Sequence, residues 1–168
     1  MTDTFLIRTA KASDIDAVDA LLARSYPKLL KEAYPPSVFV TAIPLIAKAQ
    51  PRLVTSGSYY LIMKGDVLVA AGGWTRAVPG GGRSANQTIA HVRHVVTDHR
   101  HVRQGIGRRL MMHIFETARA EGIQQLECFS TLMAEPFYAS VGFETVGAVS
   151  VNLRAGVELP AVLMRRTL

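Results

Sequence analysis

The chain carries at its centre the stretch Arg103-Gln104-Gly105-Ile106-Gly107-Arg108. Residues 89–96, just before it, form an apolar run that predicts a strand. Residues 105–121 predict an amphipathic helix, because apolar side chains recur at helical spacing along one stripe. Glycines at a strand-to-helix junction let backbone N–H groups approach an anion closely, and the helix adds the positive end of its dipole. We therefore predict that this turn holds a phosphate-bearing ligand.

The distribution of charge supports a compact anionic ligand. The chain has a formal net charge of +6, and one short segment carries Arg93, Arg100, Arg103, Arg108 and Arg109 against a single acid, Asp98. Binding of nucleic acid usually adds stacking aromatic side chains to such a basic stripe, and aromatic residues are scarce in this segment. The pattern favours a phosphorylated small molecule over nucleic acid as the partner.

Length and composition limit the class of protein. A chain of 168 residues has the usual size of one domain with one core, so we expect residues 1–168 to form a single domain. No apolar run approaches the roughly 18 residues of a membrane span, and the N-terminus lacks a basic leader followed by an apolar segment. The single cysteine, Cys128, cannot form an internal disulfide and suits a reducing compartment. We expect a soluble, cytoplasmic protein without membrane contact.

The order of the predicted elements indicates the fold class. Before the central strand we predict a strand at residues 5–8, helices at 12–26 and 34–49, and a hairpin of strands at 59–63 and 67–74, with Pro44 breaking the second helix and Pro51 closing it. A flexible loop follows at residues 79–84. After the central helix we predict a strand at 125–131, a short helix at 135–140, and strands at 143–153 and 160–165. The unit from residue 89 to 130 is a βαβ unit, so its two strands should be parallel within a mixed α/β sheet covered by helices.

Two motifs in this order resemble the GNAT superfamily of N-acetyltransferases. The family's Gln/Arg-x-x-Gly-x-Gly/Ala signature corresponds to residues 102–107, and its later signature, a tyrosine shortly before Gly-Phe, corresponds to residues 137–143. The match departs at the first motif position, where Val102 stands in place of Gln or Arg, and at Leu132 and Met133, where many members have an asparagine. The resemblance implies the GNAT fold: a central, mostly antiparallel sheet with a parallel βαβ core flanked by helices.

The resemblance also implies a cosubstrate, acetyl-coenzyme A, and the residues that bind it. Members of the family bind the cofactor largely through backbone groups around the glycine turn. Val95 and Thr97 would then hold the pantetheine arm. The pyrophosphate would be surrounded by Arg103, Gln104, Gly105, Gly107 and Arg108. Since backbone N–H groups supply much of the anion contact, the valine at position 102 should weaken this site and not remove it.

Acetyl transfer to an amine requires a neutral nucleophile, stabilisation of the developing oxyanion, and a proton for the departing thiolate. By its motif position Tyr138 is the candidate proton donor, because a phenol can protonate a thiolate. His91 is the candidate base, since it stands where the histone-modifying branch of the family carries a strand glutamate. Strict strand alternation would put His91, Arg93 and Val95 on one face and His94 on the other. For both candidates the alternative is a purely structural side chain.

Other readings of the same residues remain open. All five histidines lie between residues 91 and 113, but their spacing does not favour a metal site, and none is predicted. Cys128 fits a small buried thiol better than a catalytic nucleophile.

The sequence predicts an acetyl-coenzyme A-dependent N-acetyltransferase acting on a small-molecule or peptide amine. A coenzyme A-binding regulatory protein without turnover and a basic nucleic-acid-binding module are the alternatives. The acceptor stays open, as does the oligomeric state, a homodimer included.

Overall fold

A computed structural model of the protein describes residues 4–78 and 86–168. Within them, seven strands form one sheet in the order β1-β2-β3-β4-β5-β7-β6. The strands are β1 Phe5–Thr9, β2 Tyr59–Lys64, β3 Val67–Thr75, β4 Ile89–Thr97, β5 Gln125–Ser130, β6 Glu144–Arg154 and β7 Val157–Thr167. The pair β4 and β5 is parallel, and the other neighbours are antiparallel. This mixed sheet confirms the predicted fold class. The predicted loop at residues 79–84 lies outside the described residues.

Six α-helices accompany the sheet in the described part of the chain. They are α1 Ile15–Leu30, α2 Pro36–Thr41, α3 Ile43–Ile46, α4 Pro51–Val54, α5 Ile106–Ala120 and α6 Glu135–Ser140. One 3-10 turn, Ala12–Asp14, precedes α1. None of the described helices is long and apolar enough to cross a membrane.

The core lies in two layers, one on each face of the sheet. On one face α5 buries Leu110, Ile114 and Phe115 against the strands, together with Val92 of β4. On the other face α1 buries its own apolar side against β2 and β3, together with Val96 of β4. The apolar stripe read from the sequence of the central helix is thus its buried face, because helical spacing puts those side chains on one side.

The first half of the chain differs from the sequence prediction at its prolines. The helix predicted for residues 12–26 continues through Pro27 to Leu30, because tertiary packing of its apolar face outweighs one lost backbone hydrogen bond. The predicted second helix is divided into α2 and α3, with Pro44 in the first turn of α3. Pro51, expected to close that helix, begins α4 instead, since proline is well suited to a first helical turn.

The parallel pair β4 and β5 separates after three residue pairs. Ile89, Ala90 and His91 pair with Gln125, Leu126 and Glu127. The register between the two strands ends there, although both strands continue for several residues. The C-terminal halves of β4 and β5 therefore diverge and open a cleft in the middle of the sheet.

A β-bulge in β4 lies at the edge of this cleft. The register with β3 passes from Ala71↔Val96 to Gly73↔Arg93, so β4 has one extra residue opposite Gly72. His94 adopts a left-handed backbone conformation at this point, with φ of 45°. A Cβ at Gly72 would lie 2.7 Å from a methyl carbon of Val95, so only glycine fits opposite the bulge.

The bulge corrects the predicted assignment of faces along β4. Because one residue is inserted, alternation shifts by one position beyond it. Val92 and Val95 now pack on the α5 side of the sheet, whereas Val96 packs on the α1 side. The strict alternation expected from the sequence, with Arg93 and Val95 on one face, is wrong for this reason.

Candidate active site

Two cavities meet in the cleft between β4 and β5. The first, here called the α5 cavity, has a volume of about 620 Å³ and lies over the glycine turn. The second, here called the β7 cavity, has a volume of about 360 Å³ and lies between β4, β5 and the β6–β7 hairpin. Five residues line both: Tyr26, Val95, Thr131, Ala134 and Tyr138. A molecule in one cavity would therefore face a molecule in the other across these side chains.

The N-terminus of α5 presents free backbone donors to the α5 cavity. Gly105 precedes the helix in a left-handed conformation, with φ of 75°, which glycine adopts without a steric penalty. The N–H of Arg109 donates to the carbonyl of Gly105 at 3.1 Å, so the preceding N–H groups lack intrahelical acceptors. Arg103 and Arg108 also line this cavity. Free N–H groups, a helix dipole and two arginines together fit a phosphate group.

Gly107 brings the turn close to α6. A Cβ at this position would lie 3.1 Å from the ring of Phe137 and 3.6 Å from Oγ1 of Thr97. Thr97 and Phe137 themselves line the α5 cavity. The absence of a side chain at Gly107 thus keeps the entrance between α5 and α6 open.

The loop before this turn is ordered by Asp98, a residue that the sequence analysis treated only as a counter-charge. Its side chain is fully buried and accepts hydrogen bonds from the backbone N–H and the guanidinium of Arg100 and from Nε of Arg24. These bonds, those from Arg100 first, hold the pKa of Asp98 well below its usual range. Burial of Asp98 could not be predicted from sequence, because its partner on α1, Arg24, is distant in the chain.

Tyr138 lies on α6 where the two cavities join. It is buried, and burial raises the pKa of its hydroxyl well above the ordinary value. Burial also raises the pKa of the Cys128 thiol to about 12, so the thiol stays protonated near neutral pH and does not act as a nucleophile.

The bulge residues are held by two tyrosine hydroxyls. Tyr26 donates to the carbonyl of Val95 at 3.1 Å, and Tyr59 donates to the carbonyl of His94 at 3.0 Å. Both tyrosines are remote in sequence from β4, so no local motif indicates that they belong to the site. Their hydrogen bonds fix the backbone that separates the two cavities.

The two strand histidines have different places in the cleft. His91 is buried, pairs with Glu127 at the last parallel position, and does not line either cavity. His94 lines the β7 cavity, where its Nε2 lies 3.3 Å from Nε2 of Gln50. Burial lowers the pKa of both imidazoles, to about 4 for His94. Both are therefore neutral at physiological pH.

The β7 cavity has apolar walls and one permanent charge. Its apolar lining comes from α3, β4, β5, β6 and β7, with Leu45, Ile46, Val92, Phe129, Val151, Leu153, Leu159 and Ala161. Its polar lining includes Gln50, Asn152 and Arg93. Among residues 4–78 and 86–168, no aspartate or glutamate lines this cavity. The packing of α1, α2 and α3 against the β6–β7 hairpin closes this side of the cleft.

Most of the predicted cofactor residues come together around the α5 cavity. Val95, Thr97, Arg103, Gly105, Gly107 and Arg108 all line it, together with Tyr138. Gln104 is exposed at the turn and is not among the lining residues. In residues 4–78 and 86–168, no cluster of three or more potential metal ligands is found.

Comparison with solved structures shows the same fold. A GCN5-related N-acetyltransferase from Rhodopseudomonas palustris matches with a TM-score of 0.78 and 16% identity over 100% of this chain and 98% of that one. The PaiA N-acetyltransferase from Thermoplasma acidophilum, in complex with coenzyme A, matches with a TM-score of 0.72 and 11% identity over 98% and 99% of the two chains.

A third similar structure is N-acetylglutamate synthase from Neisseria gonorrhoeae, complexed with coenzyme A and N-acetyl-glutamate. It matches with a TM-score of 0.65 and 17% identity over 100% of this chain but only 36% of that one. No curated protein matches the chain significantly.

The family assignment rests on the sequence itself. Residues 38–166 match the family model described as "Acetyltransferase (GNAT) domain". This range contains both motifs on which the resemblance was based, and it includes β2 to β7 with most of the residues that line the two cavities. The chain therefore belongs to the GNAT family of acetyltransferases.

Proposed function

We propose that this protein transfers an acetyl group from acetyl-coenzyme A to a primary amine by direct attack. The observation that carries the proposal is the meeting of the two cavities at Tyr138 and Val95. A thioester held in one cavity and an amine held in the other would meet there without a covalent enzyme intermediate. The cleft thus gives the proximity that a bimolecular transfer needs.

The α5 cavity suits coenzyme A. The free N–H groups of the first turn of α5, together with Arg103 and Arg108, would hold the pyrophosphate. Val95 and Thr97 line the continuation toward the cleft, where the pantetheine arm would lie. The two similar structures that contain coenzyme A support acetyl-coenzyme A as the cosubstrate. When bound, it supplies the acetyl group as a thioester.

Tyr138 is the proposed acid. A raised pKa keeps its hydroxyl protonated across the working pH range, so it can donate a hydrogen bond but cannot serve as a base. Tyr138 lines both cavities, which supports a donor at the point where the negative charge of the leaving thiolate would develop. A donor already in position at the site of developing charge lowers the barrier more than it strengthens binding.

The surroundings of the amine favour its neutral form. Apolar walls disfavour an ammonium ion, and among the described residues that line the cavity no carboxylate stabilises one. An amine that loses its proton on entry needs only a weak acceptor for it. His91 is buried one residue before Val92 and does not itself line the cavity, so as the proposed acceptor it would take the proton through water; its lowered pKa keeps it unprotonated.

The test is an acetyl-transfer screen over amine classes with detection of free coenzyme A thiol. We expect stoichiometric release of thiol and formation of an N-acetyl product with at least one class. Binding of coenzyme A without transfer to any amine would contradict the proposal and favour a regulatory binding protein. Salt-dependent binding to a DNA duplex that acetyl-coenzyme A does not compete with would contradict it in favour of a nucleic-acid-binding module.

A further inference from the structure

Arg93 is a half-buried cation in the β7 cavity without an acidic partner. Its Nη1 donates to Oγ1 of Thr75 at 3.1 Å, and its Nη2 donates to Oε1 of Gln50 at 3.0 Å. Both acceptors are neutral. Among the described residues no carboxylate forms an ion pair with Arg93, although other arginines have such partners in Asp14, Asp98 and Glu127.

This arrangement is costly in the protein alone. A guanidinium keeps its charge at every accessible pH, and burial lowers the pKa of Arg93 because its water shell is partly removed. Partly desolvated charges are usually compensated by an opposite charge. Two of the five N–H donors of the group are occupied, so a planar anion can still bind to it with more than one hydrogen bond.

The rest of the cavity limits what accompanies the anion. At about 360 Å³ it lies near the lower end of the roughly 300–1,000 Å³ range of small-molecule sites. Leu45, Ile46, Leu153 and Leu159 surround it with aliphatic surface. A polyamine or another cationic acceptor would meet a positive charge and no carboxylate, so it fits poorly.

We propose that the acetyl acceptor is a small amino acid-like molecule whose carboxylate pairs with Arg93 while its amine lies at Tyr138 and its apolar body contacts the aliphatic wall. The inference rests on the proposed acetyl transfer. In that reaction the amine nitrogen forms a bond to the acetyl carbon, and the carbon–sulfur bond breaks. The thiolate takes up a proton, and the amine loses one, so the products are an N-acetyl amino acid and free coenzyme A thiol.

The test compares acceptors that share an apolar body and differ in the anion. The ammonium of the amide is the more acidic of the two, so a preference for the acid cannot come from a larger fraction of free amine. L-leucine and L-leucinamide carry the same amine and the same apolar body, and L-phenylalanine and L-phenylalaninamide form a second pair. We expect kcat/KM for the acid to exceed that for the amide by about 10- to 100-fold, because a hydrogen-bonded charge pair is lost with the amide. The variant Arg93→Gln should lose this preference through a fall with the acids alone. Equal use of acids and amides by the unaltered protein would overturn the inference.

The control variant is Arg119→Gln, which removes an exposed arginine at the far end of α5. It should leave kcat/KM unchanged for both members of each pair. A loss of equal size with acids and amides in Arg93→Gln would show that Arg93 only supports the fold, and would overturn the inference. Arg93→Lys keeps the charge and should retain part of the preference, which guards against a misfolded glutamine variant.

A binding experiment separates this inference from the proposed function. The protein saturated with coenzyme A is titrated calorimetrically with N-acetyl-L-leucine and with N-acetyl-L-leucinamide. Tighter binding of the acid, lost in Arg93→Gln, supports the carboxylate site even if no amine is acetylated. Binding of neither compound, or of both equally, would overturn the inference even if acetyl transfer to some other amine is observed.

Discussion

At the scale of single residues, the chemistry of the cleft depends most on one hydroxyl. Tyr138 is buried at the junction of the two cavities. Tyr138→Phe keeps the ring, so its contacts with Phe137 and Phe143 remain. We expect the chemical step in single-turnover kinetics to slow by roughly 10- to 1,000-fold, since the donor acts on charge that develops in the transition state.

The same variant should bind coenzyme A nearly as well as the unaltered protein, and its melting temperature should barely change. Tyr60→Phe is the matched control, because Tyr60 is also buried but packs against His113 outside both cavities. A Tyr138→Phe protein with the original rate would show that water protonates the thiolate and that the ring serves packing alone.

The two histidines of β4 can be separated by their dependence on pH. If His91 accepts the proton of the amine, His91→Ala should lower turnover by about 100-fold near neutral pH, with a smaller loss at high pH, where the amine is already neutral. His94→Ala gives the comparison: His94 lines the β7 cavity and is neutral throughout this range, so its loss should raise KM for the acceptor equally at all pH values. A rate that falls equally at all pH values in His91→Ala would indicate a structural role.

At the scale of elements, the order of strands and helices could be predicted, but the bulge in β4 could not. The alternation of Val92, His94 and Val96 is that of a regular strand, and an inserted residue leaves no mark in local spacing. What creates the bulge is Gly72 on β3 together with the hydroxyls of Tyr26 and Tyr59. These contacts are made by residues distant in sequence. As a result His94, rather than the predicted His91, lines the β7 cavity.

The glycine turn, by contrast, could be found from sequence because it depends on local backbone requirements. Replacing Gly107 with Glu should abolish binding of coenzyme A in calorimetry, since the side chain would add a negative charge next to the free N–H groups of α5. Gly107→Ala is the control: its methyl group needs the Phe137 ring to move by a few tenths of an ångström, so binding should weaken only modestly. Unchanged affinity in Gly107→Glu would contradict the assignment of the pyrophosphate to this turn.

The loop between β4 and α5 should make the protein sensitive to acid through Asp98. Its pKa is lowered in the folded state, so below the unfolded value of about 4 the unfolded chain binds more protons than the folded one. The stabilisation is therefore fully present above about pH 4 and is lost as the pH falls further. In Asp98→Asn the melting temperature should be lower at pH 7 and should fall less between pH 4 and pH 2.5.

A matched variant shows whether the acid sensitivity is specific. Asp16 is exposed in the first turn of α1, and Asp16→Asn should retain the acid transition of the unaltered protein. Coenzyme A affinity should fall in Asp98→Asn alone, because the amide loses the charge that pairs with Arg100 and Arg24 and turns an NH2 donor toward their guanidinium groups, so the loop is less well ordered. An acid profile identical in the two variants would contradict this role of Asp98.

At the scale of the whole molecule, the cleft is assembled from distant parts of the chain. Three segments meet at Tyr34, which follows α1. Its hydroxyl donates to the carbonyl of Pro160 in the β6–β7 hairpin at 2.7 Å and accepts a hydrogen bond from the N–H of Leu132 in the turn after β5 at 3.1 Å. The sequence predicted each of these elements separately. Their junction could not be predicted, because the residues involved are 98 and 126 positions apart.

This junction should couple stability to the binding of both substrates. Tyr34→Phe keeps the buried ring but leaves the Leu132 N–H and the Pro160 carbonyl without their partner, at a cost of about 2 kcal/mol. For a chain of this size the melting temperature should fall by about 4–8 °C. Since the β7 cavity lies under the β6–β7 hairpin and the turn after β5 lines both cavities, we expect KM to rise for acceptor and cosubstrate together. Tyr60→Phe, the control, should leave both KM values unchanged. If Tyr34→Phe lowers stability but leaves both KM values unaltered, the junction supports the fold without shaping the cleft.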